Sequence, residues 1–162
     1  MAETLVIKEN LSLKEKYIEL TKQLKELLNK EENLITNLAN FTAALNQTFE
    51  KISWIGFYLF DGDKLYLGPF QGKVACTMIK IGHGVCGSSA QKRETIVVAD
   101  VNQFPGHIFC DPNSKSEIVI PILRNNALFG VLDIDSNSLN SFSEIDKKYL
   151  EELVEFLSAE II

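Results

Sequence analysis

Across residues 13–28, the apolar side chains Tyr17, Leu20, Leu24, Leu27 and Leu28 recur at steps of three and four, which places them on one face of a helix. A polar break over 29–33 separates this run from a second with the same period, Leu34, Leu38, Phe41 and Leu45. A third follows at Ile145, Tyr149, Leu153, Phe156 and Leu157. Ser143 with Asp146 three residues on has the pattern of a capping box, which sets the start of this third helix.

Between the helical runs the pattern changes to that of strands. Residues 52–60 are aromatic and apolar, and Asp61-Gly62-Asp63 supplies turn chemistry before a second run over 64–70. Residues 117–123 and 127–134 flank Arg124-Asn125-Asn126 as another hairpin. Residues 96–99 form a short β-branched run, and the small residues of 84–90 read as a short helix. The segment 102–114, with Pro105, Gly106 and Pro112, is longer than most connections, and long loops in compact domains are usually functional. Helix pair, antiparallel strands and closing helix predict an α+β domain: a central sheet with the terminal helices on one face.

The chain's 162 residues fit a single domain over 1–162, with 1–30 as an N-terminal helical extension. The apolar stripe of the first helix fits either inward packing or a homodimer. A net charge of −6 argues against nucleic acid or an anionic membrane as partner, since both reward basic patches. The longest apolar stretches are strand-sized, and residues 1–10 lack a leader's basic and apolar regions. The expectation is a cytoplasmic protein in a reducing compartment. There, clustered cysteines point to metal binding or catalysis rather than to a structural framework.

Three cysteines are present: Cys76 after a glycine-flanked segment, Cys86 within Gly82-His83-Gly84-Val85-Cys86-Gly87, and Cys110 at the end of the long loop. A single cysteine is more often core than chemistry, but none of these sits at the centre of an apolar strand. Zinc is one reading, since His83 and His107 each stand three residues before a cysteine. Without a Cys-x-x-Cys, and with donors on three separate loops, that reading is the weaker. The other is thiol redox catalysis, in which a thiolate attacks, is left as a sulfenic acid, and is resolved by a second cysteine. His107, Lys73 and Arg93 are candidates for the electropositive setting this needs.

Glu117, Asp133 and Asp135 form a second constellation. Asp133 and Asp135 share one side of their strand, and the hairpin brings Glu117 opposite them. Taken singly, each acid is more simply a solvated strand end. Three converging carboxylates repel one another unless a cation sits between them, whether a hard metal ion or a ligand's ammonium. Trp54 and Tyr58, four apart on the first strand, also share a face; they fit plain core or an enclosure for a methyl or thioether group.

Together these residues resemble one family. The segments Gly68-Pro69-Phe70-Gln71-Gly72-Lys73-Val74-Ala75-Cys76, Gly84-Val85-Cys86-Gly87 and Phe104-Pro105-Gly106-His107-Ile108-Phe109-Cys110-Asp111 are similar to those of the free methionine-(R)-sulfoxide reductases. So are Ser116-Glu117-Ile118-Val119 and Gly130-Val131-Leu132-Asp133-Ile134-Asp135-Ser136. That family is a catalytic branch of the GAF fold, so the resemblance implies active-site loops on the sheet face away from the terminal helices. It implies reduction of free L-methionine (R)-S-oxide, with thioredoxin as the reductant and no cofactor or metal. Cys110 matches the attacking cysteine, Cys76 the resolving one and Cys86 the third, which can also pair with Cys110 and is itself a credible attacker. Glu117, Asp133 and Asp135 match the acids that hold the substrate's ammonium and help protonate the sulfoxide oxygen. Trp54 and Tyr58 match the aromatics around its methyl end, while His83 stands where many relatives carry arginine. The alternative is a non-catalytic GAF sensor that binds a small metabolite.

Overall fold

The computed structural model describes residues 4–162. Its elements are α1 (Leu13–Leu27), α2 (Leu34–Thr48), β1 (Trp54–Phe60), β2 (Lys64–Gln71), β3 (Met78–Lys80), α3 (Gly84–Lys92), β4 (Ile96–Val98), β5 (Ser116–Arg124), β6 (Ala127–Ser136) and α4 (Glu144–Phe156). The strands form one sheet in the order β3-β2-β1-β6-β5-β4, antiparallel at every pairing.

Local chemistry accounts for most boundaries. The β5–β6 hairpin turns on Asn125 and Asn126, both at positive φ (50° and 64°), a conformation asparagine tolerates better than most residues. The Ser143–Asp146 capping box is present at the start of α4. An equivalent box, Ser12 with Glu15, starts α1; the same Ser-x-x-Glu spacing marks it in the sequence. β3 has no sequence signal of its own. Three residues are too few to show a period, and the strand exists because Leu65 pairs with Ile79 at the edge of β2.

The helical stripes pack inward. Tyr17, Leu20 and Leu24 of α1 meet Phe41 and Leu45 of α2, Leu153 of α4, and Ile55, Ile118 and Ile134 of the sheet in one continuous core. Each such fully buried aliphatic side chain contributes about 2 kcal/mol. The stripe of α1 is therefore consumed inside the chain. α1, α2 and α4 share one face of the sheet, as expected of the terminal helices. α3 lies on the opposite face of the sheet, where Val85, Cys86 and Ala90 pack with Trp54, Tyr58 and Val119 in a second apolar layer.

Asp146 ties the helical layer together. It is completely buried, accepts from the Tyr17 hydroxyl at 2.8 Å and pairs with the Lys51 ammonium at 2.7 Å. Its second oxygen accepts the Ser143 backbone N–H at 2.8 Å. Removing it strands a buried phenol and a half-buried ammonium and uncaps α4. Asp146→Ala is expected to lower unfolding stability by about 3 kcal/mol, read from the urea midpoint at unchanged slope. A loss no larger than that of an ordinary surface substitution would show that the network contributes nothing.

Candidate active site

The register of three adjacent strands assembles the acids. Glu117 of β5 lies opposite Asp135 of β6, and Val119 lies opposite Asp133. On the other side of β6, Trp54 pairs with Asp135 and Gly56 with Asp133. Period-two alternation then puts Glu117, Asp133, Asp135, Trp54 and Tyr58 on the face away from α1, α2 and α4. Glu117 and Asp133 are buried. The Ser114 hydroxyl donates to Asp135 Oδ1 at 2.6 Å, whereas Asp133 Oδ1 is buried without a hydrogen-bond partner.

Cys86 reaches this cluster from the first turn of α3. Its Sγ lies 4.0 Å from Glu117 Oε1, and it is the chain's free cysteine. The dense glycines around it permit the approach: a Cβ on Gly87 would overlap the carbonyl oxygen of Lys80, and one on Gly84 would press on the Ile108 side chain at 3.0 Å. Gly84 also adopts φ +62°, which favours glycine.

Cys76 and Cys110 form a disulfide with a Cα–Cα distance of 5.5 Å. It joins the segment after β2 to the loop between β4 and β5, and a Lys73–Asp111 ion pair at 3.7 Å runs beside it. The aromatic pair on β1 braces the same segment from below. Trp54 Nε1 donates to the Lys73 carbonyl at 3.0 Å and the Tyr58 hydroxyl to the Cys76 carbonyl at 2.9 Å. The two rings stack with centroids 6.0 Å apart.

Over the acids sits the loop itself. His107, Ile108, Cys110, Asp111 and Ser114 close on His83, Cys86, Glu117, Asp133 and Asp135 around a cavity of about 30 Å³. That is room for a water or two. Trp54 and Tyr58 lie behind this space rather than at its wall. His107 Nδ1 approaches Glu117 Oε2 to 3.9 Å, too far for a hydrogen bond. Of the cations considered for the thiol setting, Lys73 and His107 are near the cysteines, but Arg93 is not. It lies beside Arg124, Lys147 and Glu151 in a separate groove and donates to the Asn126 carbonyl. Asp111, Ser114 and Ile108 are not among the predicted site residues, although all three lie in the loop that the sequence marks as functional; the loop's closure brings them in.

The electrostatics follow from burial. Desolvation, reinforced by the neighbouring Asp133 and Asp135 charges, pushes the Glu117 carboxyl well above the usual range. Burial likewise raises Asp133, and burial with the Asp133 charge raises Asp135 against the Ser114 hydrogen bond. The Cys86 thiol is also pushed well up, first by burial and then by the Asp133 and Glu117 charges. Burial lowers His107, which leaves its imidazole neutral. The site therefore holds protonated carboxyls beside sulfur, a proton reserve next to a redox centre.

A family model for the GAF domain matches residues 20–161. A free methionine-R-sulfoxide reductase of Escherichia coli (strain K12) is 43% identical over 138 residues, covering 85% of this chain and 84% of the relative. The chain belongs to the GAF family and, within it, to the free methionine-R-sulfoxide reductases. GAF domain-containing protein A of Dictyostelium discoideum is 51% identical, covering 97% of this chain and 99% of the relative. Among solved structures, the free methionine-R-sulfoxide reductase of Neisseria meningitidis in complex with its substrate superposes with a TM-score of 0.91 at 41% identity. That match covers 95% of this chain and 93% of the other.

The raised carboxyls make stability depend on pH. The folded state keeps protons on Glu117, Asp133 and Asp135 where the unfolded chain has lost them, so stability falls as pH rises above the usual carboxylate range. His107, held low, acts in the opposite sense only below about pH 6.5. The denaturant midpoint is expected to drop as pH rises from the usual carboxylate range through the Asp133 value of about 6, and to go on dropping above it as Glu117 and Asp135 ionise. Asp133→Asn is expected to reduce that drop. A midpoint that rises over this interval would contradict the assignment.

Proposed function

We propose that this protein reduces free L-methionine (R)-S-oxide to L-methionine, with Cys110 as the attacking thiol and Cys76 as the resolving one. The observation that carries the reading is the Cys76–Cys110 disulfide closing directly over Glu117, Asp133 and Asp135. In the reduced enzyme the Cys110 thiolate attacks the sulfoxide sulfur while a carboxylic acid of the cluster protonates the oxygen. The oxygen passes to the Cys110 sulfur as the substrate's S–O bond and the transient bond between the two sulfurs break, so that methionine leaves as the thioether and Cys110 is left as a sulfenic acid. Cys76 displaces that oxygen as water and forms the disulfide.

The division of roles among the cysteines is supported by their surroundings. Cys110 lies half-buried on a loop, whereas Cys86 is buried among carboxyls that raise its thiol and suppress the nucleophilic thiolate. Cys86 remains a reserve thiol at the same cluster. The acids suit the substrate's ammonium, whose charge relieves their mutual repulsion, and a methionine within a peptide has no ammonium to offer there. Trp54 and Tyr58 flank the side-chain methyl once the loop over 102–114 lifts, since the closed cavity of about 30 Å³ is too small for an amino acid. Thioredoxin reopens the disulfide. Half-exposed sulfurs beside the exposed Val74 and Phe109 give a thiol–disulfide oxidoreductase an apolar rim to approach. This cycle suits a reducing, cytoplasmic setting.

Turnover of the free R-sulfoxide by cysteine variants tests the reading. Cys110→Ser is expected to lose turnover at least about a thousandfold with thioredoxin or dithiothreitol, as for loss of a covalent nucleophile. Cys76→Ser should keep dithiothreitol-supported turnover and lose the thioredoxin-supported cycle. Asp135→Asn should raise KM and lower kcat together. Tight ligand binding without methionine release in the wild type would instead mark a sensor, and turnover by Cys110→Ser would move the attack to Cys86.

A further inference from the structure

The closed, disulfide-bonded site sets the buried Cys86 thiol, which the proposed cycle leaves unused, against two of its acids. Cys86 Sγ, a Glu117 oxygen and an Asp133 oxygen all lie within 4.8 Å of one another, and all three residues are buried. Two more observations point into the same space. The His107 side chain is only 8% exposed, and its Nδ1 has no hydrogen-bond partner while facing Glu117 Oε2 at 3.9 Å. Asp133 Oδ1 is likewise buried and unpaired. Buried polar atoms left without partners are uncommon, and each costs free energy until something satisfies it.

The space between these atoms, about 30 Å³, excludes an amino acid but accepts a bare ion. One sulfur and two carboxylate oxygens, completed by a water, form the donor set of a borderline-soft tetrahedral ion rather than of magnesium or calcium. Zinc bonds of about 2.0–2.3 Å put neighbouring donors about 3.3–3.7 Å apart. The Cys86–Glu117 separation of 4.0 Å is only slightly wider.

We propose that the disulfide form binds one Zn²⁺ through Cys86, Glu117 and Asp133, with water as the fourth ligand. Binding releases the thiol and carboxyl protons to solvent, as ligation by these groups requires. The ion occupies the acids that the substrate's ammonium needs. Zinc is therefore an inhibitor that competes with the substrate for this cluster. The proposal concerns ligation by the oxidised chain and stands or falls separately from the reductase reading, because its test contains no substrate.

The experiment equilibrates the oxidised full-length protein with ZnCl₂, removes free ion by gel filtration and measures bound metal by mass spectrometry. One equivalent retained, in preference to Mg²⁺, is the expected result. Co²⁺ in its place should give the intense d–d bands of a tetrahedral site and a thiolate-to-metal charge-transfer band. Cys86→Ser should remove the charge-transfer band. Cys86→Ser and Asp133→Asn should each weaken zinc binding about 100-fold or more, the scale on which metal sites lose affinity when their supporting groups are removed. Circular dichroism of each variant establishes that it is folded, and an unfolded variant is replaced by Glu117→Gln, for which the same loss is expected. No retained zinc in the folded wild type, retention undiminished in the folded variants, or a cobalt spectrum without the thiolate band would each overturn the proposal.

Discussion

The antiparallel register across β1, β6 and β5 is the constraint on which the rest of the molecule depends. Pairing Trp54 with Asp135 and Glu117 with Asp135 sorts every residue of these strands onto one of two faces. Ile55, Ile118 and Ile134 go to the helical core, while the acids go to the other side. A slip of one residue would exchange the two sets, placing carboxylates under the helices and isoleucines in the site. Apolar packing on the helical face therefore also fixes the position of the polar cluster on the opposite face.

That cluster is costly. Three carboxyls and a thiol share a space from which water is nearly excluded, and the fold responds by keeping protons on groups that would otherwise ionise. The apolar contacts of α1, α2 and α4 offset this cost, which is the usual relation between a stable scaffold and a strained site. Protonated acids beside sulfur are also what sulfoxide reduction requires, because the oxygen leaves only when protonated. The arrangement that limits stability is the one on which the proposed reaction draws.

The second organising element is the closure of the 102–114 loop. The Cys76–Cys110 bond, the Lys73–Asp111 pair and the seating of Ile108 on Gly84 hold it over the acids. β1 contributes through Trp54 and Tyr58, whose polar ends hold the carbonyls of Lys73 and Cys76. These aromatics couple the sheet to the redox segment, a connection that their four-residue spacing does not reveal. The spacing establishes a shared face; the partners belong to a segment some twenty residues away, Lys73 being separated from Trp54 by 19 positions.

Local rules explain why so much was legible in the chain. The helical stripes, the asparagine hairpin, the Ser143 cap and the alternation at Asp133 and Asp135 all depend on neighbours within a few residues, so periodicity exposes them. β3, the placement of α3 on the second face, and the recruitment of Asp111 and Ser114 depend on contacts distant in sequence, and no local pattern encodes them. By itself the sequence determined the α+β architecture and marked out cysteines and acids that the fold brings together, and its resemblance pointed to the reductase chemistry. Only the tertiary structure decided that Cys76 pairs with Cys110 while Cys86 stays buried beside Glu117, because those distances are set by strand register and loop closure rather than by spacing along the chain.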